Sequence, residues 1–229
     1  MLYSYIGLNG LTFIMKYVFQ ILIVLLLSCS DMSDVNNFTQ EEIDYFTEIA
    51  LGAEFGDEVP VIKKWRNNLR IKIIGEPTEL DVQTINDIVN DLNEIIDGIK
   101  VKIVDKKENV TITFSPESDF AKIDPNYVPT NYGFFWALWH DDNFIIYDAS
   151  ILISSADITQ KERSHLIREE LTQSLGLMND SNKYNDSIFY QEWTDIVKYS
   201  EIDKAVIKLL YLKKIKPGMS KEQVLKILN

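Results

Sequence analysis

Glu169-Glu170-Leu171-Thr172-Gln173-Ser174-Leu175-Gly176-Leu177-Met178-Asn179-Asp180 is the stretch on which the reading of this chain turns. Upstream, Thr159 with Glu162 has the form of a capping box, which predicts a helix running to about Leu175 and stopped by Gly176. At 3.6 residues per turn, Ile167, Leu171 and Ser174 share one face, flanked by Leu166 and Leu175, and that face meets the core. His165, Glu169 and Gln173 follow one another at i, i+4 on the other side. Glu170 lies between the two faces, about 60° around the axis from Gln173. Adjacent glutamates on an amphipathic helix are ordinarily a solvated face. The residues after the helix argue for more than that.

Gly176 comes three residues after Gln173, Asn179 three after the glycine, and Asp180 next. Six residues beyond Asp180 stands Asp186-Ser187-Ile188-Phe189-Tyr190. The series resembles the metzincin pattern H-E-x-x-H-x-x-G-x-x-H followed by its Met-turn, S-I-M-x-Y. Glu170 and Gly176 match that pattern. The histidine positions hold Glu169, Gln173 and Asn179, and Phe189 stands where the methionine would be. With Asp203 to Tyr211 and Lys216-Pro217-Gly218-Met219, the run from His165 to Tyr190 resembles the bacterial family called domain of unknown function 2927. That family is grouped with metzincin-like peptidases. The resemblance spans Val59 to Asn229 and implies a peptidase-like fold, without implying an activity.

The substitutions bear directly on chemistry. A catalytic zinc takes three protein ligands and a water, mostly from imidazole, thiolate or carboxylate. Glu169 and Asp180 offer carboxylates, whereas Gln173 and Asn179 offer neutral amide oxygens that suit calcium or manganese better than zinc. No cofactor is therefore expected, and zinc least of all. A working site would need a divalent cation held by oxygens of Glu169, Gln173 and Asn179 or Asp180, with Glu170 as general base. Without metal, Glu169, Glu170 and Asp180 would repel one another, raising at least one pKa, or would grip a basic group on a ligand. His165 can be drawn as a ligand one turn before Glu169, but a histidine there is more often a surface residue. His140 sits in a turn and is expected in solvent.

At the N-terminus, Tyr17 to Leu27 is a short apolar run preceded by Met15-Lys16 and closed by Leu27-Ser28-Cys29. Residues 1–28 thus read as a secretory signal, with Met15 the better initiator, and Leu26-Leu27-Ser28-Cys29 resembles a bacterial lipobox with Cys29 as the lipidated residue. Cys29 is the only cysteine, so no internal disulfide can form. The mature chain would keep 201 of the 229 residues, and losing Lys16 takes the net charge from −12 to −13. So acidic a chain is not expected to bind nucleic acid or to adhere electrostatically to anionic lipid. Its expected place is the bacterial cell envelope, anchored to a membrane through lipid and facing the periplasm or the surface.

Residues 29–58 read as the lipidated cysteine and an acidic tether with a short helix over 39–51, whose face is Ile43, Phe46, Ile49 and Ala50. The domain is expected over 59–229. Strands are predicted at 69–73, 100–104, 109–114, 132–139 and 143–153. Thr78 opens a helix to about Asp97 that buries Leu80, Ile85, Ile88, Val89, Leu92, Ile95 and Ile96. Ser200 with Asp203 and Ser220 with Gln223 open two more. This order predicts an α+β domain, a mixed sheet with helices to one side and a mostly helical C-terminal part. Phe134-Phe135-Trp136 reads either as an edge strand that pairs with an extended peptide or as a strand buried on both faces. The expected function is peptide or protein binding in a substrate-like cleft without zinc catalysis. The alternatives are a metal-dependent hydrolase using Glu170 and a structural envelope lipoprotein, so whether the chain is an enzyme stays open.

Overall fold

The computed structural model describes residues 38–52, 60–129 and 131–229. The signal segment, Cys29 and the tether up to Asn37 lie outside the described residues. Among the described residues no helix is long and apolar enough to cross a membrane.

The architecture is α+β. Five strands form a parallel array in the order β1-β6-β4-β2-β3: Lys64–Trp65, Ile145–Ser154, Val110–Ser115, Leu69–Gly75 and Val101–Ile103. The sixth, β5 (Gly133–Trp139), pairs antiparallel with β6, alone among the described strands, from Gly133 opposite Ile153 to Trp139 opposite Ile146. The sheet is therefore mixed, and β5 is an edge strand rather than one buried on both faces. Along β4, Val110, Ile112 and Phe114 are buried while Thr111, Thr113 and Ser115 are half-buried, the alternation of a sheet with one face in the core. Phe134 joins Phe120, Tyr127 and Leu152 in an apolar cluster, with Trp136 stacked on Phe134 at 6.4 Å.

The helices are α1 (Gln40–Leu51), α2 (Glu79–Ile95), the single turn α3 (Phe120–Ile123), α4 (Gln160–Gln173), α5 (Glu201–Tyr211) and α6 (Lys221–Leu228). Four of them start at complete capping boxes, at Thr78, Thr159, Ser200 and Ser220. α2 packs against α4 through a buried polar seam. There Asp81, besides capping its own helix, accepts from Gln160 Nε2 at 2.7 Å and from Arg163 Nη1 at 3.4 Å. Arg168 reaches Asp91 at 2.7 Å further along. The buried stripe of α2 is Asp81, Ile85, Ile88 and Leu92, at helical spacing. Leu80, expected in the core, lies one residue off that stripe and is 61% exposed. Val89 and Ile95 flank it and are only half-buried.

The helix over 40–51 is not part of a tether. Ile43, Phe46, Ile49 and Ala50 are buried, and so is Tyr45, whose hydroxyl donates to Ser187 Oγ at 2.9 Å. α1 packs on α5, so the compact unit begins at Gln40, not near Val59. An amphipathic helix this apolar on one side is stable only against a partner, and that partner lies some 150 residues away in sequence.

Candidate functional site

Capping by Thr159 and packing of Ile167 and Leu171 against the sheet fix how α4 is rotated about its axis. Its Glu169, Glu170 and Gln173 edge then borders a cleft of about 110 Å³. The opposite wall comes from Tyr132 and Gly133 at the head of β5, and the rim from Tyr190 and the residues up to Thr194. The acidic edge is therefore not a solvated surface: Glu170 is 7% exposed and Gln173 2%.

Gly176 makes the bend after α4. Its φ is +113°, in the region that favours glycine, and a Cβ added there would sit 1.9 Å from the Lys63 carbonyl oxygen. The reversal carries the chain to Asp180, whose Oδ1 accepts from Gln173 Nε2 at 2.7 Å. Asn179 does not join them. Its amide donates to the Glu48 and Asp180 carbonyls and its backbone N–H to Ile49, so it fastens α1 instead of facing the cleft. Glu169, Glu170, Gln173 and Asp180 are brought together, and Asn179 is left out.

The 186–190 segment folds beside the cleft. Ser187 Oγ donates to Asp203 Oδ1 at 2.6 Å, accepts from Tyr45 and accepts from the Phe189 N–H. The Ile188 N–H donates to Asp203 Oδ2 at 3.1 Å. Phe189 is fully buried, and Tyr190, paired with Ser181 in a bridge, turns onto the rim. Asp203 holds this segment and the N-terminus of α5 at once, since it also accepts from the Ser200 N–H. Burial raises its pKa, with the bonds from Ser187, Ser200 and Ile188 opposing the shift.

His165 is the largest departure from expectation. It is buried at 3% exposure, not on the surface. Nδ1 donates to the Ile196 carbonyl at 2.7 Å, while Nε2 lies 3.2 Å from Thr194 Oγ1 and 3.3 Å from Glu169 Oε2. His165 thus ties the 190–196 rim to α4. His140 is exposed as expected and stacks on Tyr147. Burial lowers the His165 pKa, but the Glu169 carboxylate and the Ile196 carbonyl outweigh it and the net shift is upward. A raised folded-state pKa stabilises fully below the unfolded value, about 6.5, and that contribution is lost as pH rises through the folded value. The difference in unfolding free energy between the parent and His165→Gln is therefore expected to be larger at about pH 6 than at about pH 9, measured by urea titration.

Zinc does not fit these residues. Both His165 nitrogens are engaged, the Gln173 amide nitrogen is turned onto Asp180, and no group of three or more His, Cys, Asp or Glu among the described residues is placed to hold a metal. Nor are the three carboxylates a bare repelling cluster, because Glu169 lies against His165 and Asp180 against Gln173. The tie of His165 to Ile196 spans 31 residues and has no local signal in the sequence. Gly133 is equally hidden: a Cβ there would meet Glu170 Oε1 at 2.5 Å, so glycine leaves the Glu170 carboxylate the place it occupies beside the strand.

An edge strand beside a polar helix edge, a glycine bend and a buried segment together frame the cleft. The chain belongs to the DUF2927 family, whose description is "Protein of unknown function" and whose model matches residues 39–229. No curated protein matches it. Two solved structures of myroilysin are similar to it, each with a TM-score of 0.41 and each covering 65% of this chain. They are 12% and 10% identical, and the match covers 82% and 86% of their own chains.

Proposed function

We propose that this chain is a lipoprotein, anchored to a membrane of the bacterial envelope through Cys29, whose metallopeptidase-like domain binds an extended peptide without zinc catalysis. The observation that carries this reading is β5. Among the described residues it pairs only with β6, so its outer edge is left for another strand, and its first residue, Gly133, sits against Glu170 in the cleft. A peptide added to such an edge gains main-chain hydrogen bonds, and its side chains meet the cleft. Tyr132 and Trp193, in edge-to-face contact at 6.1 Å, stand at the mouth as apolar surface for it. The donors described above favour binding over metal-assisted hydrolysis.

The test is a peptide library screened for binding and cleavage by the protein, by Gly133→Ala and by Glu170→Gln. The Gly133→Ala methyl displaces the Glu170 carboxylate, a flexible side-chain end, with little expected cost to the fold. We expect peptide affinity to fall about tenfold or more in Gly133→Ala, with no cleavage by any of the three proteins. Cleavage by the parent that is abolished in Glu170→Gln establishes the hydrolase instead. Neither binding nor cleavage leaves the structural envelope role.

A further inference from the structure

The net charge of −12 is unevenly spread: from Lys204 to Lys226 there are seven lysines and one acid, Glu222. Part of this basic tract closes a recess of about 180 Å³ on another part of the domain from the cleft. The recess lies between β1, the turn after α2 and the loop that follows α5. Its charged lining is Lys64, Arg66, Lys213 and Lys216 against a single carboxylate, Asp97.

Lys64 is the informative residue. It is buried, and its ammonium donates to the carbonyls of Leu210 and Ile215 and lies 4.9 Å from the Tyr211 ring centre. Those groups solvate the ammonium without supplying an opposing charge, so when protonated it adds to the positive lining of the recess. Arg66, Lys213 and Lys216 are exposed, and none forms an ion pair among the described residues. Burial, with Lys216 and Arg66 close by, lowers the Lys64 pKa to about 7. The loop is fixed from both sides. Lys64 holds Ile215, the Gly218 N–H donates to the Ile62 carbonyl at 2.8 Å, and the Ile62 N–H to the Met219 carbonyl at 2.9 Å. Like charges held this close by a fixed loop are relieved by an anion seated among them.

We propose that the recess formed by Lys64, Arg66, Lys213 and Lys216 binds a phosphate group. A phosphate carries enough charge to answer several cations, and its oxygens accept from guanidinium and ammonium donors together. Inorganic phosphate and the phosphate of an anionic lipid headgroup share this chemistry. The inference does not depend on peptide binding in the cleft.

The experiment titrates the full chain with inorganic phosphate by calorimetry, at low and constant ionic strength. In parallel, it measures binding to phosphatidylcholine vesicles with and without phosphatidylglycerol. The variant is Arg66→Gln/Lys213→Gln/Lys216→Gln. A control of equal charge change is Lys102→Gln/Lys106→Gln/Lys107→Gln, exposed in and after β3. Saturable binding that weakens about tenfold or more in the first triple variant and less than about twofold in the control supports the site. Seen with phosphate and without preference for anionic vesicles, it identifies a free phosphate ligand; seen with anionic vesicles, it identifies a headgroup. Binding to neither probe, or equal weakening in both triple variants, overturns the proposal. The substituted side chains are exposed, and the single variant Lys213→Gln, expected to weaken binding by a smaller factor, gives the same reading should the triple variant fold poorly.

Discussion

Gly176→Ala is expected to lose about 3–4 kcal/mol of unfolding free energy, measured by urea titration against the parent. Two independent costs add. An L-residue held in a left-handed conformation loses about 1–2 kcal/mol, because its Cβ crowds the following carbonyl. The methyl would also fall 1.9 Å from the Lys63 carbonyl oxygen, and a backbone atom fixed next to β1 cannot yield as a side-chain end can. Forcing volume into such a site costs about 1–3 kcal/mol more. Against a typical total of about 5–15 kcal/mol, the variant stays folded with a sharply reduced margin. A loss below about 1 kcal/mol would mean that the bend relaxes freely, and that the close approach of Gly176 to the Lys63 carbonyl does not fix the direction in which α4 ends.

Asp203→Ala is expected to cost about 2–4 kcal/mol by the same measurement, through hydrogen bonding instead of sterics. Its carboxylate is fully buried and accepts from Ser187 Oγ, from the Ile188 N–H and from the Ser200 N–H. Removing it takes half of the capping box of α5, worth about 1 kcal/mol, and leaves buried donors without acceptors at about 1–3 kcal/mol. Asp203→Asn keeps one acceptor oxygen and should lose less. Burial raises the pKa of this carboxyl while its three donors favour the ionised form, so the pair of variants separates lost acceptors from lost charge. Equal losses in the two variants would show that charge, and not acceptor geometry, holds the 186–190 segment.

Those two positions mark where sequence reasoning works and where it stops. Gly176 and the capping boxes at Thr78, Thr159, Ser200 and Ser220 are local signals within four residues, and each element starts where its box says. The acidic edge of α4 follows from helical periodicity alone. The second role of Asp203, bridging to Ser187 16 residues away, has no such signal. The same holds for α1, whose partner is α5, and for His165, whose partner carbonyl belongs to Ile196. Asn179 shows a different limit. Its spacing matches the third ligand of the resembled pattern, but at that point the chain answers to contacts with α1, and it is Asp180, one residue on, that reaches Gln173. The run from Phe134 to Trp139 is ambiguous for a physical reason, because continuous apolar residues suit an edge and an interior strand alike until the neighbours are known.

The open rim of β5 has a consequence for the protein in the company of its own copies. Phe134-Phe135-Trp136-Ala137-Leu138-Trp139 is the kind of segment that templates stacking of one molecule on the next when its backbone is unmatched. Two features counter that tendency. The register breaks between Leu138 and Trp139, which bends the far end of the rim out of line, and the excess of acidic groups makes copies repel at long range. Concentrated salt removes the second safeguard and leaves the first, so the molecule is best kept dilute and at low ionic strength.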